Sequence, residues 1–528
     1  MTDIVSKGTI MTAPRSIAAA TLRTADGAVP YWVPLAAIAG LALALRLYGL
    51  GDKPFWLDEL ASLHRATISL PELFAQALHS KHYPSYFLLL WLVAKFGVSQ
   101  FILRLPSAIL GAVNAALVAA MGREAAGPRA GAAAGLLMAL SPFDVQYGQE
   151  ARSYTLVTFL ILVALFGLLR LARDPGGAAL PLRSAKAPRL AWLAYGAGTA
   201  SALCVLNVAV PWLLAANLGA IAIAWHAGAA RRAFLRNWAI VQGVVLAVWL
   251  PWIIAVYIAS KGTVLRGEDW SPPESLATIW SIIAPVYLHR ISAFITFDLE
   301  PAAIPGLSLV IAVLAFVGAW RLRRAGSVFA VIACAVLILP LLLLSVSLAA
   351  PVLAPRYFAW GAAPFFVLAG AGLAGLRGWR FAGSAAALGA LCLVNLSPYY
   401  ADETKPRWDL LASRLAAKAQ PGDLVLLNDW HADYVLTAFA PRAGLDLARI
   451  KLSWSAAKLV PPPGHDVFVV FGRTGQGEMQ SPEAYLATLS TLGTPVSEER
   501  IGRYIVLWRF HEPAPPVANC GKAEGCSA

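Results

Sequence analysis

Two adjacent carboxylates, Asp58 and Glu59, follow the first long apolar segment of the 528-residue chain, and one leucine separates them from the aromatic residues Phe55 and Trp56. Like charges side by side raise the pKa of one of them, and a low-dielectric wall has the same effect. Such a carboxylate could act as a general base toward a hydroxyl group. Two solvated acids in a loop explain the same spacing, and the residues alone favour that simpler interpretation.

A run of cationic and aromatic residues lies further along the same stretch, at 79–86 (HSKHYPSY), with Lys81, His82 and Tyr83 at its centre. A lysine near a membrane surface can hold a phosphate group. Tyrosine and lysine also gather at that depth simply as anchors. The residues alone leave both interpretations open.

A second polar stretch, 141–153, contains Glu150 and Arg152 and is followed at once by Tyr154 and a long apolar run. Ionisable residues at the mouth of a membrane helix are functional candidates. An ion pair between Glu150 and Arg152 that only caps the helix is the structural alternative.

Three more polar residues begin apolar segments: Arg104, Arg356 and Tyr357. Each arginine could extend harmlessly toward the membrane surface. If all these segment ends lie on one side of a membrane, however, they place acids and cations together. Such a group would suit an anionic ligand with a base beside it.

The composition requires a membrane around most of the chain. Hydrophobic residues make up 59% of it and charged residues only 13%, whereas soluble proteins carry about a quarter charged residues. The net charge of +13 comes from short arginine clusters between apolar segments. That distribution is typical of cytoplasmic loops and argues against nucleic acid as a partner.

Eleven apolar segments are long enough to predict membrane crossings, so we expect a mainly α, polytopic membrane protein. They are 31–49, 102–121, 130–143, 153–171, 190–206, 208–225, 238–258, 304–320, 327–349, 358–376 and 381–396. A further apolar segment, 86–98, reaches only about 20 Å as a helix, against a bilayer core of about 30 Å. It is predicted to be a juxtamembrane helix.

The arginine clusters fix the predicted orientation in a cell inner (plasma) membrane. They fall on the cytoplasmic side if the N-terminus is cytoplasmic and 86–98 does not cross. The loops 51–101 and 141–153 and the C-terminal part are then outside. The predicted divisions are a disordered cytoplasmic lead at 1–30 and a transmembrane domain with these two catalytic loops at 31–397. A periplasmic α/β domain at 398–512 and a flexible tail at 513–528 follow.

The C-terminal part has the pattern of a small soluble α/β domain. Strands are predicted at 423–428, 466–472 and 503–509, and helices at 407–419 and 481–492. The flexible tail carries Cys520 and Cys526. A disulfide between them is permitted outside the cytoplasm, and the sequence leaves that pairing open.

The sequence contains no nucleotide-binding glycine motif, no HExxH and no Cys/His metal pattern. Nucleotide sugars and ATP are absent outside the cytoplasm. An activated donor at the outer face must therefore arrive attached to a lipid.

Five motifs in order resemble the C-type superfamily of membrane glycosyltransferases. They are WLDE, HYPSYFLLL, RLPSAILG, SPFDVQYGQEARSYTL and PRYF, and they cover about residues 55–364. The resemblance is to the bacterial branch related to protein O-mannosyltransferases, aminoarabinose transferases and Rgt-type galacturonosyltransferases. It implies a hexosyl- or pentosyltransferase that uses a polyprenyl-phosphate sugar and a lipid, glycan or protein acceptor.

The resemblance also implies roles for the residues named above. Asp58 would be the general base in a direct, inverting displacement, supported by Glu59. The leaving phosphate would be steadied by four cationic candidates: Lys81, His82, Arg104 and Arg152. Glu150 would hold the acceptor or Arg152, and the substrate cavity would be completed by Tyr83, Tyr154, Arg356 and Tyr357.

Two positions depart from the family pattern. Tyr83 precedes Pro84 where many relatives have two prolines, and Asn207 lies near where later helices often carry a histidine. Both departures could follow the identity of the donor or the acceptor. Some members of the superfamily bind a divalent cation through pairs of acidic residues. This sequence has no third acidic residue that would require a metal, so no cofactor is expected to be required.

Two other classes of protein fit the composition. A transporter or flippase of lipid-linked sugars would have broken helices and charges at the middle of the membrane, whereas here the charges cluster at helix ends. A membrane scaffold with a partner-binding tail would leave the region around Asp58 unexplained.

Overall fold

The computed structural model describes residues 30–182, 186–259, 276–290, 304, 306–348, 353–428, 430–453, 464–472 and 481–511. The predicted lead, the predicted flexible tail and the cysteine pair within that tail lie outside these residues. Three cysteines inside them, Cys204, Cys334 and Cys392, are free thiols.

Twenty α-helices occur in the described part of the chain. In chain order they are α1 (Trp32–Leu47), α2 (Leu57–Thr67), α3 (Leu70–His79), α4 (Ser85–Val93), α5 (Gln100–Ala126), α6 (Pro128–Leu140), α7 (Pro142–Gly148), α8 (Tyr154–Arg173), α9 (Pro175–Ala178), α10 (Lys186–Leu203), α11 (Val210–His226), α12 (Arg231–Ala259), α13 (Leu276–Tyr287), α14 (Leu307–Leu322), α15 (Ser327–Ser347), α16 (Ala362–Leu373), α17 (Gly378–Ala401), α18 (Trp408–Lys418), α19 (Trp430–Ala443) and α20 (Pro482–Ala487).

Each of the eleven predicted crossing segments overlaps one of the long helices, which confirms a mainly α, polytopic membrane fold. By length and composition, six helices of the described ranges are apolar enough to cross a membrane: α5, α8, α11 with its preceding turn, α12 with its preceding turn, α15 and α17. Shorter apolar helices are α1, α14, α16 and α4 with the turn that follows it.

Helices α2, α3 and α4 lie together at one end of the bundle, which we call the site face. Helix α4 has only nine residues and so rises about 14 Å, as expected for a helix that does not cross. The indole of Trp91 in α4 donates a hydrogen bond to the carbonyl of Ile68, between α2 and α3, at 3.1 Å. This contact ties the three short helices into one layer.

Small residues let the membrane helices approach closely. A Cβ atom added to Gly318 in α14 would overlap the carbonyl oxygen of Leu368 in α16, and one added to Gly372 in α16 would overlap that of Leu314 in α14. Within a membrane, helices associate through such close packing, because lipid tails provide no hydrophobic drive between them. The pair α14 and α16 is therefore held by backbone-to-backbone contact.

The C-terminal part contains a five-stranded sheet of order β2-β1-β3-β5-β4. Its strands are β1 (Leu424–Leu427), β2 (Lys451–Ser453), β3 (Asp466–Gly472), β4 (Ser497–Ile501) and β5 (Ile505–His511). The first three are mutually parallel, and β5 is antiparallel to β3 and β4. Alternate side chains of β1, β3 and β5 pack on α18 and α19 on one face and on α20 on the other.

The three predicted strands are present, with β5 displaced toward the C-terminus by two residues. The predicted helix 407–419 is α18. The predicted N-cap Ser481 accepts a hydrogen bond from the amide of Ala484 at 3.0 Å, and α20 then ends early at Ala487. The helix α19, the strand β2 and the charged edge strand β4 were not predicted from the sequence.

Gly318→Ala is expected to lower the thermal unfolding midpoint, because the added methyl group must push α14 away from α16. Overpacking of this kind costs about 1 to 3 kcal/mol. The matched control is Gly243→Ala in α12, where an added Cβ meets nothing within 4 Å and should leave the midpoint unchanged or slightly higher. Tryptophan fluorescence of both variants in nanodiscs measures the difference, and equal midpoints would contradict the packing argument.

Candidate functional site

The two adjacent acids occupy the first turn of α2 and point in different directions. Successive residues of a helix are separated by about 100°, so one carboxylate turns into the protein while the other faces outward. Glu59 is fully buried, and 17% of the Asp58 side chain is exposed. The two residues therefore have different tasks.

Glu59 accepts four hydrogen bonds, which uses the full capacity of a carboxylate. Arg104 donates two of them at 2.8 Å, Lys405 donates one at 2.7 Å, and the amide of Ala151 donates one at 2.9 Å. Burial raises the pKa of Glu59, but the charges of Arg104 and Lys405 outweigh this and lower it to about 2. Glu59 is thus a permanent anion inside the protein.

Arg104 has no donor left for a ligand. Its guanidinium binds Glu59 twice, and its remaining N–H groups donate to the carbonyls of Leu50, Lys53 and Pro54 at 2.9 to 3.0 Å. All five N–H groups of an arginine are then used. The role of holding a phosphate, which the resemblance implied for Arg104, does not fit this environment, because Arg104 instead holds the loop before α2.

Asp58 lies between two guanidinium groups. Its Oδ2 is 3.4 Å from Arg152 Nη2 and 3.7 Å from Arg356 Nη1. Arg152 also donates to the carbonyl oxygen of Asp58 at 3.1 Å. Burial alone would lower the pKa of Arg152, but the neighbouring carboxylate of Asp58 raises it, so that the guanidinium remains charged.

Glu150 is paired differently from the sequence-based expectation. Its Oε1 accepts a hydrogen bond from Gln146 at 3.3 Å and lies 3.8 Å from Lys405 Nζ. Its other oxygen has no hydrogen-bond partner in the described part of the chain. The ion pair considered between Glu150 and Arg152 is not formed, since Arg152 pairs with Asp58.

The tyrosines named from the sequence line the same region. Tyr154, at the start of α8, lies under the guanidinium of Arg152, with 5.7 Å between the guanidinium carbon and the ring centre. Tyr357, in a short 3-10 turn, has the same relation to Arg356 at 5.6 Å. These rings orient the two arginines that face Asp58.

A cavity of about 50 Å³ opens beside this group, and Lys81, His82, Tyr83 and Arg152 are among the polar and apolar residues that line it. This volume holds about four water molecules, the size of a small oxyanion group. Lys81 adopts a left-handed backbone conformation, with φ of 59°. That conformation is uncommon for residues other than glycine and tends to occur at functional sites.

His82 is not a cation at neutral pH. Desolvation by the surrounding protein, and then the charges of Arg65 and Arg152, lower its pKa to about 4. A neutral imidazole can still donate one hydrogen bond. The positive charge of the cavity therefore comes from Lys81 and Arg152.

The two departures from the family pattern touch one another. The hydroxyl of Tyr83 donates to Asn207 Oδ1 at 2.9 Å and accepts a hydrogen bond from the indole of Trp249 at 3.0 Å. Burial raises the pKa of Tyr83 to about 12, so the hydroxyl keeps its proton. This trio closes the cavity on the side of α12.

Lys405 is a buried charged residue of this site that was not predicted from the sequence. It lies between α17 and α18, far from every motif, and a single lysine before a proline carries no recognisable signal. Within the described ranges, no three His, Cys, Asp or Glu side chains lie together as metal ligands would. The acids Asp58 and Glu59 each face two cationic side chains, a poor environment for a divalent cation, and the absence of a required metal stays a prediction.

Solved structures share this fold. The chain is similar to ArnT from Cupriavidus metallidurans in the apo state, with 14% identity, a TM-score of 0.54 and coverage of 90% of this chain and 97% of that one. The same protein bound to undecaprenyl phosphate matches at 15% identity and a TM-score of 0.51, with coverage of 93% and 99%. An Archaeoglobus fulgidus oligosaccharyltransferase tethered to an acceptor peptide matches at 13% identity and a TM-score of 0.51, with coverage of 80% and 63%.

These likenesses confirm the expected fold, that of C-type membrane glycosyltransferases. At such low identity they show the fold alone. No known protein family model matches the sequence. No curated protein matches it either.

Arg104→Met is expected to destabilise the protein by about 3 to 5 kcal/mol, because it leaves a buried carboxylate with one cation fewer. The matched control is Arg170→Met, which breaks an exposed pair with Glu124 and should cost no more than about 1 kcal/mol. Denaturant titration of both variants in the same lipid measures the free energy of unfolding. Equal losses would show that the Glu59 cluster is unimportant for stability.

Proposed function

We propose that this protein is an inverting glycosyltransferase that moves a sugar from a polyprenyl-phosphate donor to a hydroxyl group of an acceptor. The carrying observation is the position of Asp58, a partly exposed carboxylate beside a small cationic cavity. The acceptor is a lipid, a glycan or a protein outside the cytoplasm. The site face is then the outer face of a plasma membrane, and the sheet domain lies on that side.

The reaction is a single displacement. The carboxylate of Asp58 takes the proton of the acceptor hydroxyl while the hydroxyl oxygen attacks the anomeric carbon. The bond between that carbon and the phosphate oxygen breaks, and the lipid phosphate leaves with the electron pair. One displacement inverts the anomeric configuration.

The leaving phosphate needs positive charge next to the base. Lys81 and Arg152 both line the cavity that opens beside Asp58. Fixed cations aimed at the place where negative charge develops are an effective way to stabilise a transition state. His82 adds a neutral hydrogen-bond donor there, and Arg356 holds Asp58 from the opposite direction.

The lipid nature of the donor is supported by two independent points. The first is the absence of nucleotide-binding motifs from the sequence. The second is the similar fold of ArnT, which has been crystallised with undecaprenyl phosphate bound. A donor that enters from the bilayer reaches the cavity directly, because the cavity lies next to the short helix α4.

Asp58→Asn is expected to lower sugar transfer by about 100-fold or more, the usual contribution of a general base, while undecaprenyl phosphate still binds. The matched control is Asp52→Asn, an exposed acid of the same loop, which should keep full activity. Both are assayed in nanodiscs with a panel of radiolabelled polyprenyl-phosphate sugars and acceptor extracts. If wild type consumes no donor but carries labelled lipid across liposomes as well as Asp58→Asn does, the protein is a flippase.

Lys81→Gln is expected to weaken binding of undecaprenyl phosphate at pH 7 by about tenfold or more, since hydrogen bonds to charged groups contribute about 1.5 to 3 kcal/mol. His82→Gln should change the affinity much less, because the imidazole there is already neutral. Microscale thermophoresis of both variants gives the dissociation constants. A larger loss in His82→Gln than in Lys81→Gln would contradict this assignment of charge.

A further inference from the structure

Lys405 is an unusual residue to find inside the site, because it belongs to the segment that leads into the C-terminal sheet domain. Only 5% of it is exposed. Its ammonium group lies 2.7 Å from Glu59 Oε2 and 3.8 Å from Glu150 Oε1. The lysine thus bridges two acids that come from different loops of the membrane part.

The most deeply buried part of this cluster has equal numbers of acidic and cationic side chains only when Lys405 is included, and the less buried Lys53, which donates to the carbonyl of Tyr399, lies outside this count. The deeply buried part contains two carboxylates, Glu59 and Glu150, and two cations, Arg104 and Lys405, each at most 5% exposed. The N–H groups of Arg104 are fully used by Glu59 and three carbonyls. Without Lys405, only Arg104 would remain to balance the two buried carboxylates, and Glu150 would keep only the hydrogen bond from Gln146.

The charge of Glu150 depends on this lysine. Burial raises the pKa of Glu150, Lys405 opposes that shift, and the nearby Glu59 adds to it. Removing the ammonium group leaves two like charges close together, a situation that forces one acid to take up a proton or both to move apart.

A movement of Glu59 is transmitted to the proposed base. Asp58 precedes Glu59 in the first turn of α2. The amide of Ala151 binds Glu59 at 2.9 Å, and the next residue, Arg152, binds the carbonyl and carboxylate of Asp58. Ala151 and Arg152, neighbours in one loop, therefore contact Glu59 and Asp58, neighbours in α2. The buried contact between Glu59 and Ala151 in this way sets the geometry of the contact between Asp58 and Arg152.

The other side of the segment is anchored to the sheet domain. The hydroxyl of Tyr504 donates to the carbonyl of Glu403 at 3.0 Å, and the amide of Arg503 donates to the Glu403 carboxylate at 3.3 Å. Lys405 follows two residues later and α18 begins at Trp408. The lysine can reach Glu59 only when this segment is seated between the two parts of the protein.

We propose that Lys405 is a positioning residue of the transfer site, which balances the charge of Glu59 and Glu150 and so holds Asp58 and Arg152 in their working geometry. This rests on the proposed transferase function. It makes the segment between α17 and α18 part of the active site, where the lysine acts through Glu59 and Glu150.

The test is a double-mutant cycle in the full-length protein. Lys405→Met should lower kcat by about tenfold or more, because small displacements of catalytic groups have effects of that size, with the KM for the donor nearly unchanged. Lys405→Arg should restore most of kcat. On a Glu150→Gln background, which removes the unbalanced charge, Lys405→Met should cost less than about threefold. Lys418→Met, which removes an exposed lysine paired with Glu499 in the same domain, is the control and should have wild-type kcat.

Amide hydrogen exchange of residues 57–62 provides a second measurement that needs no turnover. Exchange there should be faster in Lys405→Met and return toward wild type in the double variant. An equal loss of kcat with and without Glu150→Gln, or unchanged exchange in Lys405→Met, would overturn the proposal. If wild type transfers no sugar at all, the transferase function is wrong, and the exchange measurement still decides whether Lys405 positions this helix.

Discussion

A buried carboxylate at the membrane edge is the constraint on which the rest of the site depends. Removing a charge from water costs several kcal/mol unless partners replace the lost hydration. Glu59 is closed to solvent and meets this demand with four donated hydrogen bonds. The donors come from α5, from the turn before α8 and from the segment before α18, so satisfying one side chain brings distant parts of the chain to one place.

The same constraint separates two residues that are neighbours in sequence. Because α2 begins at Leu57, its first turn sends Glu59 inward and leaves Asp58 at the cavity. The arginines divide in the same way. All N–H groups of Arg104 bind Glu59 or backbone carbonyls. Arg152 and Arg356 instead face the carboxylate of Asp58, where their charge is available to a ligand.

The cavity wall shows how a change of residue in one place requires a change elsewhere. Tyr83 needs a partner for its buried hydroxyl, since an unpaired polar group inside a protein is costly. Asn207 and Trp249 supply an acceptor and a donor from two other elements. The two positions that differ from the family pattern are thus one structural feature, which forms part of the cavity wall.

Local properties of the sequence were sufficient for the class of fold and for most of its elements. The length of each apolar segment predicted the membrane helices and the short helix α4, and alternating apolar and polar residues predicted β1, β3 and β5. This works because the burial pattern of a helix or strand depends on residues that are close together in the sequence. The acids and cations at the ends of apolar segments were also identified, since a charge next to a membrane segment stands out. The strand β4 was missed because its residues are mostly polar. The helix α19 was missed although its buried residues Ala432, Val435, Leu436, Phe439 and Ala440 follow a helical period.

Only the tertiary structure decided which charges meet. Lys405 and Glu59 are 346 residues apart along the chain, and nothing near either residue indicates the other. Likewise, the sequence could pair Glu150 with Arg152. In the folded chain Glu150 instead faces Lys405, and Arg152 faces Asp58. The physical reason is that ion pairs form between side chains brought together by helix packing and loop geometry, and a single sequence carries no local signal of such long-range neighbours.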